Sequence, residues 1–419
     1  MSFGPFSRRR FLTYTTALTS TALLAGTARI ARAQALEGVK VVVVGAGIAG
    51  LGAARTLADS GATVTVVEAN GRIGGRLLTD WSMGPPFEVG AGWIHGPEAD
   101  NPARQLADAV GSEYVVTEDD NLVVFDPDGE QISDDRLEEF GEWWERQLYH
   151  IDENLETYDP RSLLRDDDRV FDSPDVIVAT GYDRILGPLA EGLDVRLSTK
   201  VTRIAYSEKG AKVTTPAGDL EADYVVCTVP LGVLKAGAIA FDPELPSGHR
   251  DNIAEIGFGS VTKVAFKFPQ AFWDVETQYF GMMTKPKGRW NLWLNYRTFS
   301  QANILLGLSV GAYAPVADQM SDTDIAADAL DALRNVWGDA VGTPTQMLRT
   351  AWSTDPNALG AYAYPTPGSR ASQFDDMGEP VKDRLILAGE HTIFNYAGTT
   401  HGAYMTGLRA AEYILDEAG

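Results

Sequence analysis

Residues 39–50 read VKVVVVGAGIAG, and this stretch decides the fold. Its first half is a near-continuous apolar run, the composition of a strand covered on both faces in a parallel sheet. GAGIAG then places GxGxxG where a strand gives way to a helix running to about residue 60. Residues 62–67 form the next strand, and Glu68 stands at its end. This is a complete βαβ unit. Gly45, Gly47 and Gly50, with the small Ala49, permit a tight turn. They let a pyrophosphate approach the free N–H groups and positive dipole end of the helix. Glu68 can accept hydrogen bonds from both hydroxyls of a ribose. The unit predicts a dinucleotide and does not by itself separate NAD from FAD.

Around this unit the chain is long, acidic and poor in cysteine. At 419 residues it exceeds one ordinary core, so two domains are expected. With 35 basic and 58 acidic residues the net charge is −23. That argues against nucleic acid as a partner and favours encounter with cations. Cys227 is the single cysteine, so no intramolecular disulfide forms. The five histidines show no HExxH spacing, and no metal is expected. SRRRFLT at residues 7–13, a mildly apolar Ala/Thr/Leu-rich run to about residue 30 and Ala31-Arg32-Ala33 read as a twin-arginine export signal, removed at about residue 33. The run is too short and too rich in Ser and Thr for a membrane anchor, and no other segment reaches spanning length. Residues 1–33 hold five arginines and no acids, so the mature chain carries 30 basic against 58 acidic residues, or −28. The translocon is then a transient partner, stable membrane insertion is not expected, and the destination is the periplasm or the exterior.

Further along, residues 134–156 and 322–337 read as helices, the latter with apolar residues at helical period. Short strands are expected at 195–197, 201–206, 212–215 and 224–228. A last strand at 385–388 is followed by a Gly-rich turn and a helix from about 402 to 417. Residues 260–268, SVTKVAFKF, alternate as a strand. By alternation alone, Lys263 and Lys267 share its solvated face.

The continuation of the opening unit carries a resemblance. Residues 68–76, EANGRIGGR, add a second glycine pair and Arg76 beyond the ribose acid, which a simple NAD domain does not need. The segment resembles the second glycine motif of the flavin-containing amine oxidases, a family of polyamine oxidases, monoamine oxidases and lysine-specific histone demethylases. There it closes over the FAD diphosphate and ribityl chain, which implies cofactor contacts for Arg72, Gly75 and Arg76, the last by a charge-assisted bond to phosphate. Asn70 departs from the basic residue many members carry. Residues 88–96, EVGAGWIHG, resemble the polyamine-oxidase loop beneath the isoalloxazine ring. This implies flavin contacts for Gly92 and Trp93 and substrate contact for His95. Related L-amino-acid oxidases place an arginine near Trp93, and this chain has none. Residues 200–204 resemble the strand whose valine, here Val201, pairs with adenine through its backbone, and residues 227–234 match the run after the domain crossing. SVTKVAFKF with FPQAFW after it matches the strand bearing the family's active-site lysine. Lys263 then holds a water near flavin N5 and assists reoxidation, while Lys267 stays a surface lysine. Residues 352–362 resemble the segment supplying an aromatic wall, which Tyr362 would form, with Trp352 and Tyr364 packing. Residues 388–392 and 398–403 resemble the closing FAD motif, with Glu390 near the ribityl or phosphate region. The last helix points its N-terminus at the flavin pyrimidine, and Thr399 and Thr400 just before it are implied cofactor contacts. Some plant polyamine oxidases carry Tyr at the position of Thr399, so an aromatic cage here is one-sided. His391 and His401 are read as structural or FAD-side.

The resemblance implies an α/β plus α+β protein: a Rossmann-like FAD-binding domain from 36–95, 181–255 and 381–419, interleaved with a mixed-sheet substrate-binding domain from 96–180 and 256–380. It implies FAD, a small cationic amine of the spermine or spermidine type, and O2; with Cys227 the single cysteine, in a strand far in sequence from the closing FAD motif, no thioether link is expected and the FAD is non-covalent. The reaction is removal of a hydride equivalent beside an amine nitrogen, imine hydrolysis, and reduction of O2 to H2O2. The alternatives are an oxidase of another primary or secondary amine or an amino acid, or a flavin-binding protein without turnover. A histone demethylase does not suit an exported chain. A desaturase or protoporphyrinogen oxidase would share the glycine motifs without needing Lys263.

Overall fold

The computed structural model describes residues 35–118, 120–140, 171 and 173–419. The expected export signal, and the expected helix beyond residue 140, lie outside the described residues. The opening unit is present: β1 (Lys40–Val44), α1 (Ile48–Asp59) and β2 (Thr63–Val67). β1 sits in the middle of a five-stranded parallel sheet. The order across it is Leu385–Leu387, Tyr224–Cys227, β1, β2, Asp194–Arg196. Both faces of β1 are covered, which is why the sequence there is apolar without alternation. Val41 and Val43 point into one core with Leu51, Leu57 and Ile414. Val42 and Val44 point into another with Val225, Cys227, Ile204 and Leu387.

Two glycines set how closely the layers approach. A side chain at Gly50 would place its first carbon 2.0 Å from the Gly45 carbonyl oxygen, so the turn into α1 closes only with glycine there. One at Gly407 would lie 2.0 Å from the Ala49 carbonyl oxygen. Gly407 therefore lets the last helix (Thr400–Ala418) lie directly against the first turn of α1.

The second large sheet has six strands in the order Gln346–Arg349, Thr262–Lys267, Ile304–Ser309, Leu292–Asn295, Tyr279–Met282, Leu122–Phe125. One face packs Val264, Phe266 and Trp293 against Ile325 and Leu333 of the helix Asp322–Trp337, whose limits match the periodicity. The opposite face carries Ala265 and Leu306 and is covered by Met83 and Phe87, with Trp93 packed alongside. This corrects the reading of SVTKVAFKF. The face that alternation left to water is roofed by the chain segment after the second glycine motif. Lys263 is buried there. Lys267 is half-buried rather than a free surface lysine, and its Nζ donates to the Met83 carbonyl at 2.8 Å.

Other elements differ by a few residues. The strand expected from Val201 begins at Arg203 (Arg203–Ser207). It joins Gly210–Thr215, Gly218–Ala222 and Ala240–Asp242 in a four-stranded sheet. Gly218–Ala222, GDLEA, lacked a strand signature because only Ala222 is buried. The last helix starts at Thr400, two residues before the expectation. Trp93–Ile94 pairs with Val176–Val178 in a three-stranded sheet with Tyr114–Val116. No helix among the described residues is long and apolar enough to cross a membrane.

Candidate active site

A cleft runs along the carboxyl ends of β1 and β2, where open α/β sheets bind ligands. It is lined by Gly45, Gly47, Glu68, Gly75, Arg76 and Val201, six of the residues singled out above. Counting the space open to solvent, it encloses ≈ 810 Å³. Its floor suits a pyrophosphate. α1 begins at Gly47 with no side-chain cap, and a side chain at Gly47 would meet no atom within 4 Å. The N–H groups of the first turn are therefore free to take anionic oxygens. The buried Glu68 carboxylate is held by the N–H of Ala46 at 2.8 Å and of Asn70 at 2.7 Å. Each oxygen keeps capacity to accept a further bond from a ribose hydroxyl.

Other expected cofactor residues, some outside its lining, surround this cleft and brace it. Ala49 and Gly50 form the first turn of α1 and set its position. Arg72 turns back on its own loop, donating to the carbonyls of Ile73 at 3.0 Å and Gly75 at 2.8 Å, so it stiffens the second glycine motif. Arg76 reaches the cleft, but Nη1 is committed to Glu390 at 2.8 Å and to the Ala361 carbonyl at 2.6 Å. Glu390 also accepts from the N–H of Ala363 at 3.1 Å and Gly398 at 2.9 Å. Burial alone would raise the Glu390 carboxyl; the charges of Arg76 and His391 and these bonds outweigh it and hold it below the usual range. Thr399 caps the last helix, its hydroxyl accepting from Gly402 N–H at 3.0 Å, and Thr400 is the first helical residue. Trp352, read as packing, lines the cleft and donates its indole N–H to Val89 at 3.0 Å. At the Asn70 departure, Asn357 bridges Asn70 at 2.9 Å and Lys200 at 3.1 Å, placing a lysine on that rim.

The second centre is Lys263. Its Nζ donates to the carbonyls of Glu88 at 2.8 Å and Gly90 at 2.6 Å, and lies 5.6 Å from the centre of the Trp93 ring. A side chain at Gly92 would come within 3.5 Å of the same nitrogen. The loop 88–93 is thus folded around the lysine. Burial lowers the Lys263 ammonium below the ordinary lysine range, and the charge of Glu88 opposes that shift. The sequence reading quoted Glu88 only as the start of a motif. The structure makes it a buried carboxyl beside the lysine. Burial raises it above the usual carboxyl range, against hydrogen bonds from Tyr182 N–H and Thr79 and the charge of Lys263.

His95 follows the short strand Trp93–Ile94. Its Nδ1 is 2.5 Å from Asp175 Oδ2. Buried Asn101 donates to the carbonyls of His95 at 2.9 Å and Gly96 at 2.8 Å and fixes the loop. Asp175 was missed because it is 80 residues away in sequence and belongs to no motif. His401 packs against Phe171 and Tyr396. Burial and the neighbouring His95 bring its pKa down to about 4. Burial likewise takes His391 to about 4, and neither of its ring nitrogens meets a protein partner. Tyr362 pairs with Gly259 across a short two-stranded sheet and is 44% exposed.

The chain that builds this glycine-floored cleft, with a buried acid at its ribose end and a buried lysine clasped by the loop after a second glycine motif, matches one family model. Flavin containing amine oxidoreductase aligns to residues 48–168 and 135–415. The chain belongs to the flavin-containing amine oxidoreductases. This flavin amine oxidoreductase is 31% identical over 429 residues to polyamine oxidase 2 of Arabidopsis thaliana, covering 89% of this chain and 87% of that one. It is 32% identical to polyamine oxidase 4 of Oryza sativa subsp. japonica, covering 89% and 88%. It is also 32% identical to lysine-specific histone demethylase 1 homolog 2 of Arabidopsis thaliana, covering 90% of this chain and 58% of that protein. Among solved structures, wild-type putrescine oxidase bound to putrescine superposes with a TM-score of 0.70 at 21% identity, covering 90% of this chain and 99% of that one. That likeness shows the fold. The enzyme is an FAD-dependent amine oxidase, and the cleft described above fits FAD in its diphosphate and ribose contacts.

Proposed function

We propose that the protein is an exported polyamine oxidase that cleaves a C–N bond of a spermine- or spermidine-like amine and reduces O2 to H2O2. The observation that carries this reading is Lys263, buried and clasped by the carbonyls of Glu88 and Gly90 beside Trp93. Relatives matched over nearly nine tenths of their own length as well as of this chain are named polyamine oxidases (87% and 88% of their length). Held in this cleft, FAD would supply the redox chemistry, that is, acceptance of a hydride equivalent from the carbon beside the amine nitrogen and transfer of the electrons to O2. The residues of the chain bind and orient. The α1 N-terminus and Glu68 take the diphosphate and ribose, Val201 takes adenine, and Arg76 with Glu390 braces the loops between them. The Trp93 and Tyr362 rings offer apolar surface that disfavours an ammonium, so the reacting nitrogen sheds its proton. His95, oriented by Asp175, faces the remaining polar groups of the substrate.

The interleaved domains, 36–95, 181–255 and 381–419 for FAD and 96–180 and 256–380 for substrate, are supported by strand membership. All five parallel strands fall in the first set and all six of the larger sheet in the second. SRRRFLT at residues 7–13 supports twin-arginine export to the periplasm or beyond.

Anaerobic mixing with spermine and spermidine tests the reading by loss of flavin absorbance. Bleaching, then H2O2 on admitting air, is expected. Bleaching only with another amine or an amino acid would overturn the substrate. A yellow protein that no amine bleaches would overturn turnover altogether.

A further inference from the structure

The buried carboxyl of Glu88 has no part in the reading above. It is 5% exposed, and Lys263 is 6% exposed. Glu88 Oε2 accepts from the Thr79 hydroxyl at 2.8 Å and Oε1 from the Tyr182 N–H at 2.9 Å. The carboxyl and the ammonium make no direct ion pair; they are linked through the backbone, because Nζ bonds the carbonyl of Glu88 itself. A protonated lysine has three N–H donors. Two are taken by the carbonyls of Glu88 and Gly90. One position on Nζ is left uncommitted. With the amine charged, that position is an N–H and donates. With the amine neutral, the two remaining N–H bonds still satisfy both carbonyls, and the position becomes a lone pair that accepts.

We propose that Glu88 sets the charge of Lys263 and so decides whether the lysine's one uncommitted position donates or accepts a hydrogen bond. The assignment of a role to that position rests on the reading of Lys263 as an active-site group; the coupling of the two residues does not. In this dry environment each charge makes the other less costly. Losing the carboxylate charge takes away the main interaction that opposes neutralisation of the lysine by burial. The other ionisable groups bearing on the pair are few. Asp183 accepts from Thr79 N–H at 3.1 Å and raises Glu88. The phenols of Tyr182 and Tyr296 both feel the charge of Glu88, and burial keeps both neutral. The pair therefore titrates with two partners of fixed charge state and one nearby carboxylate. Its balance is tuned by two hydrogen bonds to Glu88, one of which comes from a side chain that can be changed.

The test uses FAD-loaded protein with lysines labelled at Cε, whose NMR shifts report each amine against pH. Lys263 is assigned by the signal lost in Lys263→Met. In Glu88→Gln the Lys263 midpoint is expected to fall by ~1 pH unit or more relative to wild type, the size of a lost neighbouring charge. Thr79→Val removes a bond that favours the ionised carboxyl. It should move the Lys263 midpoint in the same direction by a smaller amount, and it serves if Glu88→Gln does not fold. Unchanged midpoints in these variants overturn the proposal. Stopped-flow reoxidation of the reduced flavin on the same samples separates the two readings. A pH profile that follows the NMR midpoint from variant to variant supports both. A profile that stays put while the midpoint moves leaves the Glu88–Lys263 coupling standing and overturns the active-site role of Lys263.

Discussion

At the residue scale, burial sets the chemistry. His401 is the clearest case. Its unperturbed pKa of 6.5 falls to about 4, from burial first and the adjacent His95 second. Between these values the unfolded chain binds a proton that the folded ring refuses. The stability linked to this residue is therefore fully present above pH 6.5 and is lost as the pH falls toward 4. The loss has an upper bound of about 3 kcal/mol per ring. His391 adds a second ring of the same sense. His401→Phe preserves the ring contacts with Phe171 and Tyr396. It is expected to remove about half of this pH dependence, read as a shallower fall of Tm between neutral and acid pH. No periodicity in the sequence distinguishes these two histidines from solvated ones. Their burial depends on chain segments that meet only in the fold, as the His95–Asp175 pair does.

At the element scale, the contact between the last helix and α1 rests on glycine. Gly407→Ala would drive a methyl into the Ala49 carbonyl and push the helix away from the first turn of α1. An overpacking cost on the order of 1–3 kcal/mol is expected. The checks are a lower Tm and a smaller flavin-to-protein absorbance ratio in the purified variant. The elements themselves were largely legible. The apolar run of β1, the GxGxxG turn and the period of Asp322–Trp337 each carry a local signal strong enough to place them. The strand Thr262–Lys267 was legible as a strand but not as a doubly covered one. Alternation reports which side chains share a face. It does not report that Met83 and Phe87, nearly two hundred residues earlier, will cover that face. Lys263 and Lys267 were separable only by resemblance, because the pattern treats them alike. Trp352 escaped for a related reason: its indole both packs on Val89 and lines the cleft, and a sequence pattern gives it one role.

At the scale of the whole molecule, the charge of −23 makes a field that draws cations in. For a polyamine substrate, kcat/KM is expected to fall several-fold as ionic strength rises from ~0.01 to ~0.15 M, over which the screening length shrinks from ~30 to ~8 Å. Steady-state kcat should change far less, since it is measured with substrate already bound; equal falls in both would argue against steering. The order of the parallel sheet has a further consequence, in time rather than in space. β1 is made before its neighbour Tyr224–Cys227, which comes some 180 residues later, and the edge strand Leu385–Leu387 and the helix that rests on α1 follow later still. While the ribosome is still working, the dinucleotide turn has emerged without the walls that give it shape. The nascent chain must therefore hold an unfinished sheet open until residues 385–387 have been made. Any premature stop before residue 385 yields a product with an exposed parallel edge, a substrate for chaperones and proteases rather than a smaller enzyme.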